Sequence, residues 1–96
     1  MKATTAYNAR KLADIPNIGP AMVRDFLALG IETPDDLRDK DPYQLYQRIC
    51  QISGVRQDPC VLYTYMAAVD FLNGAPARPW WEYTALGKSR YPELYK

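Results

Sequence analysis

The sequence predicts an all-α fold, a compact bundle of five to six short helices. The first sign is a helix-capping residue followed by proline, which occurs at Thr33-Pro34, Asp41-Pro42 and Asp58-Pro59. A capping side chain accepts a hydrogen bond from a free N–H of the first turn, and proline suits the first helical position because its φ is already fixed. The second sign is a glycine after each apolar stripe, where a left-handed residue can end a helix, at Gly30, Gly54 and Gly74.

These signs place the predicted helices along the chain. The fifth is the longest, because Leu62, Met66 and Val69 follow the 3.6-residue period of an amphipathic helix. A short sixth helix opens at the adjacent Trp80 and Trp81, and we expect one indole to cover the bundle and the other to be partly exposed. The predicted helices span residues 7–13, 20–29, 34–39, 42–53, 59–73 and 80–86.

Length and composition narrow the possible functions. The chain has 96 residues, and we expect one domain over residues 1–86 with a loose start at 1–5 and a flexible tail at 87–96. Its net charge of +1 is far from that of a strongly basic nucleic-acid binder. No apolar run reaches the length of a membrane span, and the N-terminus lacks the hydrophobic core of a secretory signal. We therefore expect a cytoplasmic protein without a membrane partner.

Histidine is absent from the chain and cysteine occurs only twice, which limits the possible catalytic and metal sites. The chain has no His, the commonest general base, and Cys50 and Cys60 do not have the spacing of metal ligands. A helix start lowers a thiol pKa, but Asp58 opposes this effect at Cys60, which we expect to be a packing residue. We therefore expect no metal site, no cofactor and no enzymatic activity.

The stretch from Leu12 to Ile31 organises the rest of the chain. Pro16 ends the first predicted helix, and both Asn17 and Gly19 tolerate a left-handed backbone. Pro20 then stands where a new helix would have its first residue. The pattern predicts a helix, a tight hairpin and a second helix.

The hairpin sequence Ile15-Pro16-Asn17-Ile18-Gly19-Pro20 resembles the helix-hairpin-helix motif of DNA repair and recombination proteins. The resemblance implies a SAM/helix-hairpin-helix-like domain in which amides at the start of the second helix hold a DNA phosphate. Free N–H groups and the positive end of a helix dipole favour an anion there. The residues expected at this DNA-binding site are Asn17, Ile18, Gly19, Ala21 and Met22, with Arg24, Lys11 and Arg10 as the surrounding cations.

Two departures from the motif leave an alternative open. Asn17 stands at the first glycine of the motif, and Ala21 stands where many DNA-binding members carry Lys or Arg. The same fold could therefore be a protein–protein interaction module that has lost DNA binding, with Trp and Tyr side chains holding a partner or a second copy. The helices at 42–53 and 59–73 also leave open a degenerate second motif of this kind.

A closer resemblance extends over residues 11–86. The segments that carry it are Asn17 to Met22, Asp41-Pro42-Tyr43, Asp58 to Leu62, Ala67 to Phe71 and Gly74 to Trp81. They are similar to those of a family of small bacterial proteins named after a pathogenicity locus, whose members are often labelled mitomycin-resistance proteins. Because mitomycin cross-links DNA, the label implies a DNA-related role, although the family implies no established active site.

The function expected from these observations is DNA binding without catalysis. Nothing in the sequence clearly enters a groove to read bases, so binding should be independent of sequence and mediated by phosphates. With few cations near the hairpin, it should also be weak and sensitive to salt. A role in DNA repair or in a stress response would fit such a module.

Overall fold

The structure is a computed structural model that describes residues 2–92. Within this range it contains α-helices and short 3-10 turns and no β-strand, which confirms the predicted all-α class. None of these helices has both the length and the apolar character needed to cross a membrane. The elements are α1 (Pro20–Ala28), α2 (Pro34–Arg38), α3 (Pro42–Ser53), α4 (Pro59–Leu72) and α5 (Thr84–Arg90), with 3-10 turns at Ala6–Asn8, Leu12–Asp14 and Trp80–Tyr83.

The predicted starts of α2, α3 and α4 are confirmed by their caps. The Thr33 hydroxyl accepts a hydrogen bond from the N–H three residues on at 3.2 Å. The carboxylates of Asp41 and Asp58 accept from the N–H groups two residues on at 3.0 and 2.9 Å. The glycines predicted to end the helices all have positive φ, with values of 82°, 76° and 106° at Gly30, Gly54 and Gly74.

Helix α4 is the centre of the bundle and is buried along almost its whole length. Helices α2, α3 and α5 pack against it, as do the 3-10 turns Ala6–Asn8 and Trp80–Tyr83. Leu62, Tyr65 and Met66 on this helix are fully buried. Removing this much apolar surface from water is the main source of stability for so small a domain. The hairpin that precedes α1 therefore packs against this buried core.

The predicted α-helix over residues 7–13 is wrong. The chain forms two separate 3-10 turns here, with extended backbone between them. The Asp14 carboxylate accepts hydrogen bonds from the backbone N–H groups of Arg10 and Lys11 at 3.1 and 3.0 Å. These N–H groups are then unavailable to a helical ladder, and so short a segment has little helical stability of its own. The 3-10 turn Leu12–Asp14, and not an α-helix, therefore comes directly before the hairpin.

The flexible tail predicted from residue 87 begins too early. Helix α5 continues to Arg90, and Gly87 within it is buried. A Cβ on Gly87 would lie 2.5 Å from Cε1 of Tyr63 in α4, so the two helices approach this closely because residue 87 is glycine. Residues 93–96 of the predicted tail lie outside the described residues.

Tyr65 carries a polar atom without a partner in the core. Its hydroxyl is buried, and it has no hydrogen-bond partner within the described part of the chain. Burial raises the pKa of Tyr65, and the negative charge of Asp25 acts in the same direction. An unsatisfied buried hydroxyl costs about 1–3 kcal/mol of desolvation free energy. Tyr46 differs, because its buried hydroxyl donates to the carbonyl of Gln57.

We expect Tyr65→Phe to raise the free energy of unfolding by about 1 kcal/mol, because it removes an unpaired polar atom and keeps the aromatic ring. Tyr46→Phe is the matched control, since it removes the same atom from a hydrogen bond and should lower the free energy of unfolding by about 1 kcal/mol. Urea denaturation of both variants measures the difference. If Tyr65→Phe is as destabilised as Tyr46→Phe, the Tyr65 hydroxyl has a partner in solution.

Three aspartates that accept backbone N–H groups predict a loss of stability in acid. These hydrogen bonds hold the pKa below its usual value of 3.8 at Asp14, Asp36 and Asp58. A carboxyl whose pKa is lowered by folding stabilises the protein above its unfolded pKa, and this contribution is lost as the pH falls through the folded pKa. We expect the melting temperature to vary little between about pH 7 and 5 and to fall below about pH 4.

Circular dichroism melts across this pH range test the prediction. Replacing the three aspartates with asparagine keeps a side-chain oxygen as acceptor and removes the titration, so the acid dependence should become shallower. If the melting temperature of the triple variant depends on pH as that of the parent does, other carboxyl groups cause the acid unfolding.

Candidate nucleic-acid interface

The hairpin before α1 is a tight turn, and two buried isoleucine side chains anchor it in the core. Ile15 and Ile18 are fully buried, and the Ile18 N–H donates to the Ile15 carbonyl at 3.2 Å. Between them, Asn17 has a left-handed backbone with φ of 74°, as the sequence predicted. The core therefore fixes the turn, while the residues directly after it, Gly19 to Ala21, are exposed.

Gly19 does not have the left-handed backbone that its residue type allows. Its φ of −98° and ψ of −177° are extended, and it is the N-cap residue of α1. A Cβ at this position would meet no atom within 4 Å, so the fold itself does not require glycine here. The absent side chain leaves open space next to the backbone, where a ligand could approach it.

The expected hydrogen-bond donors are present at the start of α1. The N–H groups of Gly19, Ala21 and Met22 have no acceptor within residues 2–92, and Pro20 has no N–H. The ladder begins at Val23, whose N–H donates to the Gly19 carbonyl at 3.0 Å. Three unpaired donors thus lie around one exposed turn, at the positive end of the helix dipole.

The Asn17 side chain connects the hairpin to a distant segment of the chain. Its Nδ2 donates to the Arg78 carbonyl at 2.7 Å, and its Oδ1 accepts from the Trp80 N–H at 3.3 Å. These two bonds hold residues 78–80 beside the hairpin. Sequence reasoning treated Asn17 only as a substitute for glycine and missed this role. The available signal was the residue type: a left-handed turn needs only glycine, so asparagine at this position indicates a role for its side chain.

Lys2 is a second residue whose role the sequence analysis missed. Its ammonium group donates to the Ala13 carbonyl at 2.6 Å and also to the Ile18 carbonyl. The Ala3 N–H donates to the Asp14 carbonyl at 2.8 Å and fixes the same segment. The expected loose start at 1–5 is thus attached to the hairpin at residues 2 and 3, with a positive charge on the turn. No pattern in the sequence pointed to these contacts.

The three expected cations do not share one environment. Arg24 is exposed on the second turn of α1, and Lys11 is exposed before the hairpin. Arg10 lines a cavity of about 340 Å³ together with Asp35 and Arg38, and these two form an ion pair at 2.6 Å. Arg10 therefore lies beside the acidic helix α2, which makes it the weakest of the three candidates for a phosphate contact.

The two tryptophans differ as the sequence predicted. Trp80 is half-buried and stacks on Tyr63 of α4, with ring centroids 6.4 Å apart and planes at 12°. Trp81 meets Trp80 edge to face at a centroid distance of 5.8 Å, and 61% of it is exposed. Trp80 therefore covers the bundle, and Trp81 presents an aromatic surface next to the segment that Asn17 holds.

The two cysteines are both partly buried. Cys50 and Cys60 are free thiols, and the Cys50 sulfur accepts a hydrogen bond from the Gln57 N–H at 3.3 Å. Burial, followed by the neighbouring Asp58 carboxylate, raises the pKa of Cys60. Within residues 2–92 no cluster of possible metal ligands occurs.

We expect Asn17→Gly to lower the free energy of unfolding by about 1–2 kcal/mol. Because glycine accepts the left-handed backbone, the turn itself is kept. The loss in free energy of unfolding therefore reports on the two side-chain hydrogen bonds. Asn17→Asp is the graded control, since its carboxylate still accepts from Trp80 but cannot donate to the Arg78 carbonyl. Urea denaturation and native tryptophan emission test this expectation. Unchanged stability and emission in Asn17→Gly would mean that these bonds do not hold the segment.

Comparison with known proteins confirms the resemblance to the pathogenicity-locus family. The family model described as pathogenicity locus, Cdd1, matches residues 5–89. The mitomycin resistance protein McrB of Streptomyces lavendulae is 45% identical over 80 residues, which cover 83% of this chain and 76% of that protein. No solved structure matches the chain with significance. The chain belongs to the pathogenicity-locus family, Cdd1.

Proposed function

We propose that this protein is a non-enzymatic DNA-binding module that holds phosphate at its hairpin without regard to base sequence. The observation that carries the proposal is the set of unpaired N–H groups at Gly19, Ala21 and Met22. Three such donors at the positive end of a nine-residue helix favour a phosphate oxygen. The open space beside Gly19 lets a bulky phosphodiester reach the backbone.

The distribution of charge supports the same function. Acidic side chains are concentrated between residues 25 and 41, around helix α2. Basic side chains predominate before this segment and after residue 74, and the Asn17 side chain joins those two parts of the chain. Within the described residues, the basic side chains concerned are Lys2, Arg10, Lys11, Arg24, Arg78, Lys88 and Arg90. A net charge of +1 therefore does not exclude local attraction of a phosphate backbone.

The name of the similar Streptomyces protein suggests a biological setting. That protein is named for resistance to mitomycin. A module that binds DNA without sequence preference could contribute to such resistance by acting on damaged DNA, in repair or in a stress response. The proposal also places the protein in the cytoplasm, in the same compartment as the DNA.

A protein–protein interaction module is the second candidate. Five large hydrophobic side chains of the described residues are each more than half exposed: Tyr7, Leu27, Ile52, Val55 and Trp81. Exposed apolar side chains of this size are candidates for contact with a partner or a second copy. Gel filtration with light scattering separates the candidates, since a dimer that binds no DNA would favour the interaction module.

The sharpest test of the proposed function is Ala21→Glu. A carboxylate at the start of α1 repels phosphate and should lower DNA affinity by roughly tenfold or more, whereas it interacts favourably with the helix dipole and should not destabilise the fold. Gln44→Glu is the matched control, because it adds the same charge to an exposed position in the first turn of α3. Fluorescence anisotropy with a labelled duplex measures affinity, and thermal melts measure stability.

Salt dependence provides a second measurement with the same duplex. Because few cations surround the hairpin, log affinity against log salt should have a shallow slope of roughly −2 to −3. Arg24→Ala should reduce this slope by about one unit. If Ala21→Glu and Gln44→Glu lower DNA affinity equally, phosphate is not bound at the hairpin. If the parent protein binds no DNA even at low salt, the proposed function is wrong.

A further inference from the structure

We propose that Trp81 is a stacking surface for an unpaired base, so that the protein prefers DNA containing unpaired nucleotides to intact duplex. This inference rests on the proposed function and specifies its substrate class. Aromatic side chains next to a phosphate-binding surface bind single strands by stacking on bases of any identity. In an intact duplex the bases are covered by their neighbours, so such a side chain would have nothing to stack on.

The position of Trp81 relative to the hairpin is fixed through the backbone. The Trp80 N–H is bonded to Asn17 Oδ1, and Trp81 is the next residue along the chain. Because adjacent Cα atoms are about 3.8 Å apart, the Trp81 backbone lies within roughly two residue lengths of the Asn17 side chain. A strand whose phosphate is held at the hairpin would therefore have a neighbouring base within reach of the indole.

The Trp81 indole is supported on one side and open to solvent. Trp81 stands in the 3-10 turn Trp80–Tyr83, and Tyr83 at the other end of that turn is buried. The edge-to-face contact with Trp80, which itself stacks on Tyr63, limits the movement of the indole. With 61% of the residue exposed, an aromatic surface remains available for contact. The side chain is thus arranged in advance, and little conformational entropy is lost when a base stacks on it.

The side chains around Trp81 in the sequence fit a nucleic acid better than an apolar protein surface. Arg78 is exposed three residues before it, and Lys88 and Arg90 are exposed in the last turn of α5; the acidic residues nearby are Glu82, next in sequence, and Asp70, whose carboxylate lies near Tyr83. The other exposed large apolar side chains of the described chain, including Ile52 and Val55, belong to different elements. Basic residues combined with an exposed aromatic side chain are found in single-strand binding surfaces.

The experiment compares three labelled DNAs of one length: an intact duplex, the same duplex with a short single-stranded gap, and a gapped duplex whose unpaired positions are abasic. We expect the parent protein to bind the gapped duplex about 5- to 100-fold more tightly than the intact one, as one stacked base allows. The abasic gap should lose this preference, because it keeps the flexibility and phosphates of the gap but offers no base.

Trp81→Ala should bind gapped and intact duplex alike while keeping the parent affinity for intact duplex. Trp81→Phe should retain part of the preference, since phenylalanine keeps an aromatic face. Thermal melts of both variants confirm that they are folded. A preference that persists in Trp81→Ala, or that the abasic gap shares, would overturn the inference.

The failure of this inference is distinguishable from failure of the proposed function. If the parent binds gapped and intact duplex equally and Ala21→Glu weakens both, the hairpin site stands and the role of Trp81 is wrong. If the parent binds none of the three DNAs at low salt, the proposed function and this inference are both wrong.

Discussion

The packing of α4 determines where most of the other elements of this protein lie. Helices usually bury one face, but α4 contributes Leu62 through Val69 as a continuous buried run. The hydrophobic effect therefore requires neighbours on all sides, and α2, α3, α5 and two 3-10 turns supply them. Glycine at residue 87 lets α5 approach the Tyr63 ring. With its core built around one helix, the domain can leave the hairpin at its surface.

The Asn17 side chain couples this fold to the candidate site. Its backbone makes the left-handed turn that exposes the amides at the start of α1, and its amide group holds the segment carrying Arg78 and Trp81. One residue thus connects the unpaired amides on which the proposed function depends with the aromatic surface on which the further inference depends. A glycine at this position would allow the turn but would provide no bond to the distant segment.

The sequence predicted those features that depend on local chemistry. The caps at Thr33, Asp41 and Asp58 and the left-handed Asn17 follow from residue type and near neighbours, and the structure confirms them. The features it could not predict depend on contacts between distant residues or on competition for hydrogen bonds. The tail was expected to begin at residue 87 because the local sequence does not reveal that Gly87 packs closely against α4. The helix expected over 7–13 does not form because the Asp14 side chain accepts hydrogen bonds from two of its backbone N–H groups.

The most direct test of the account is a ¹H–¹⁵N NMR titration of the labelled protein with a short duplex at low salt. We expect the amide signals of Gly19, Ala21 and Met22 to shift most, because their N–H groups would donate to the bound phosphate. The exposed Ile52 and Val55 should show only small shifts. The largest shifts at those two residues, with unchanged signals at the hairpin, would contradict the account and place the binding surface elsewhere.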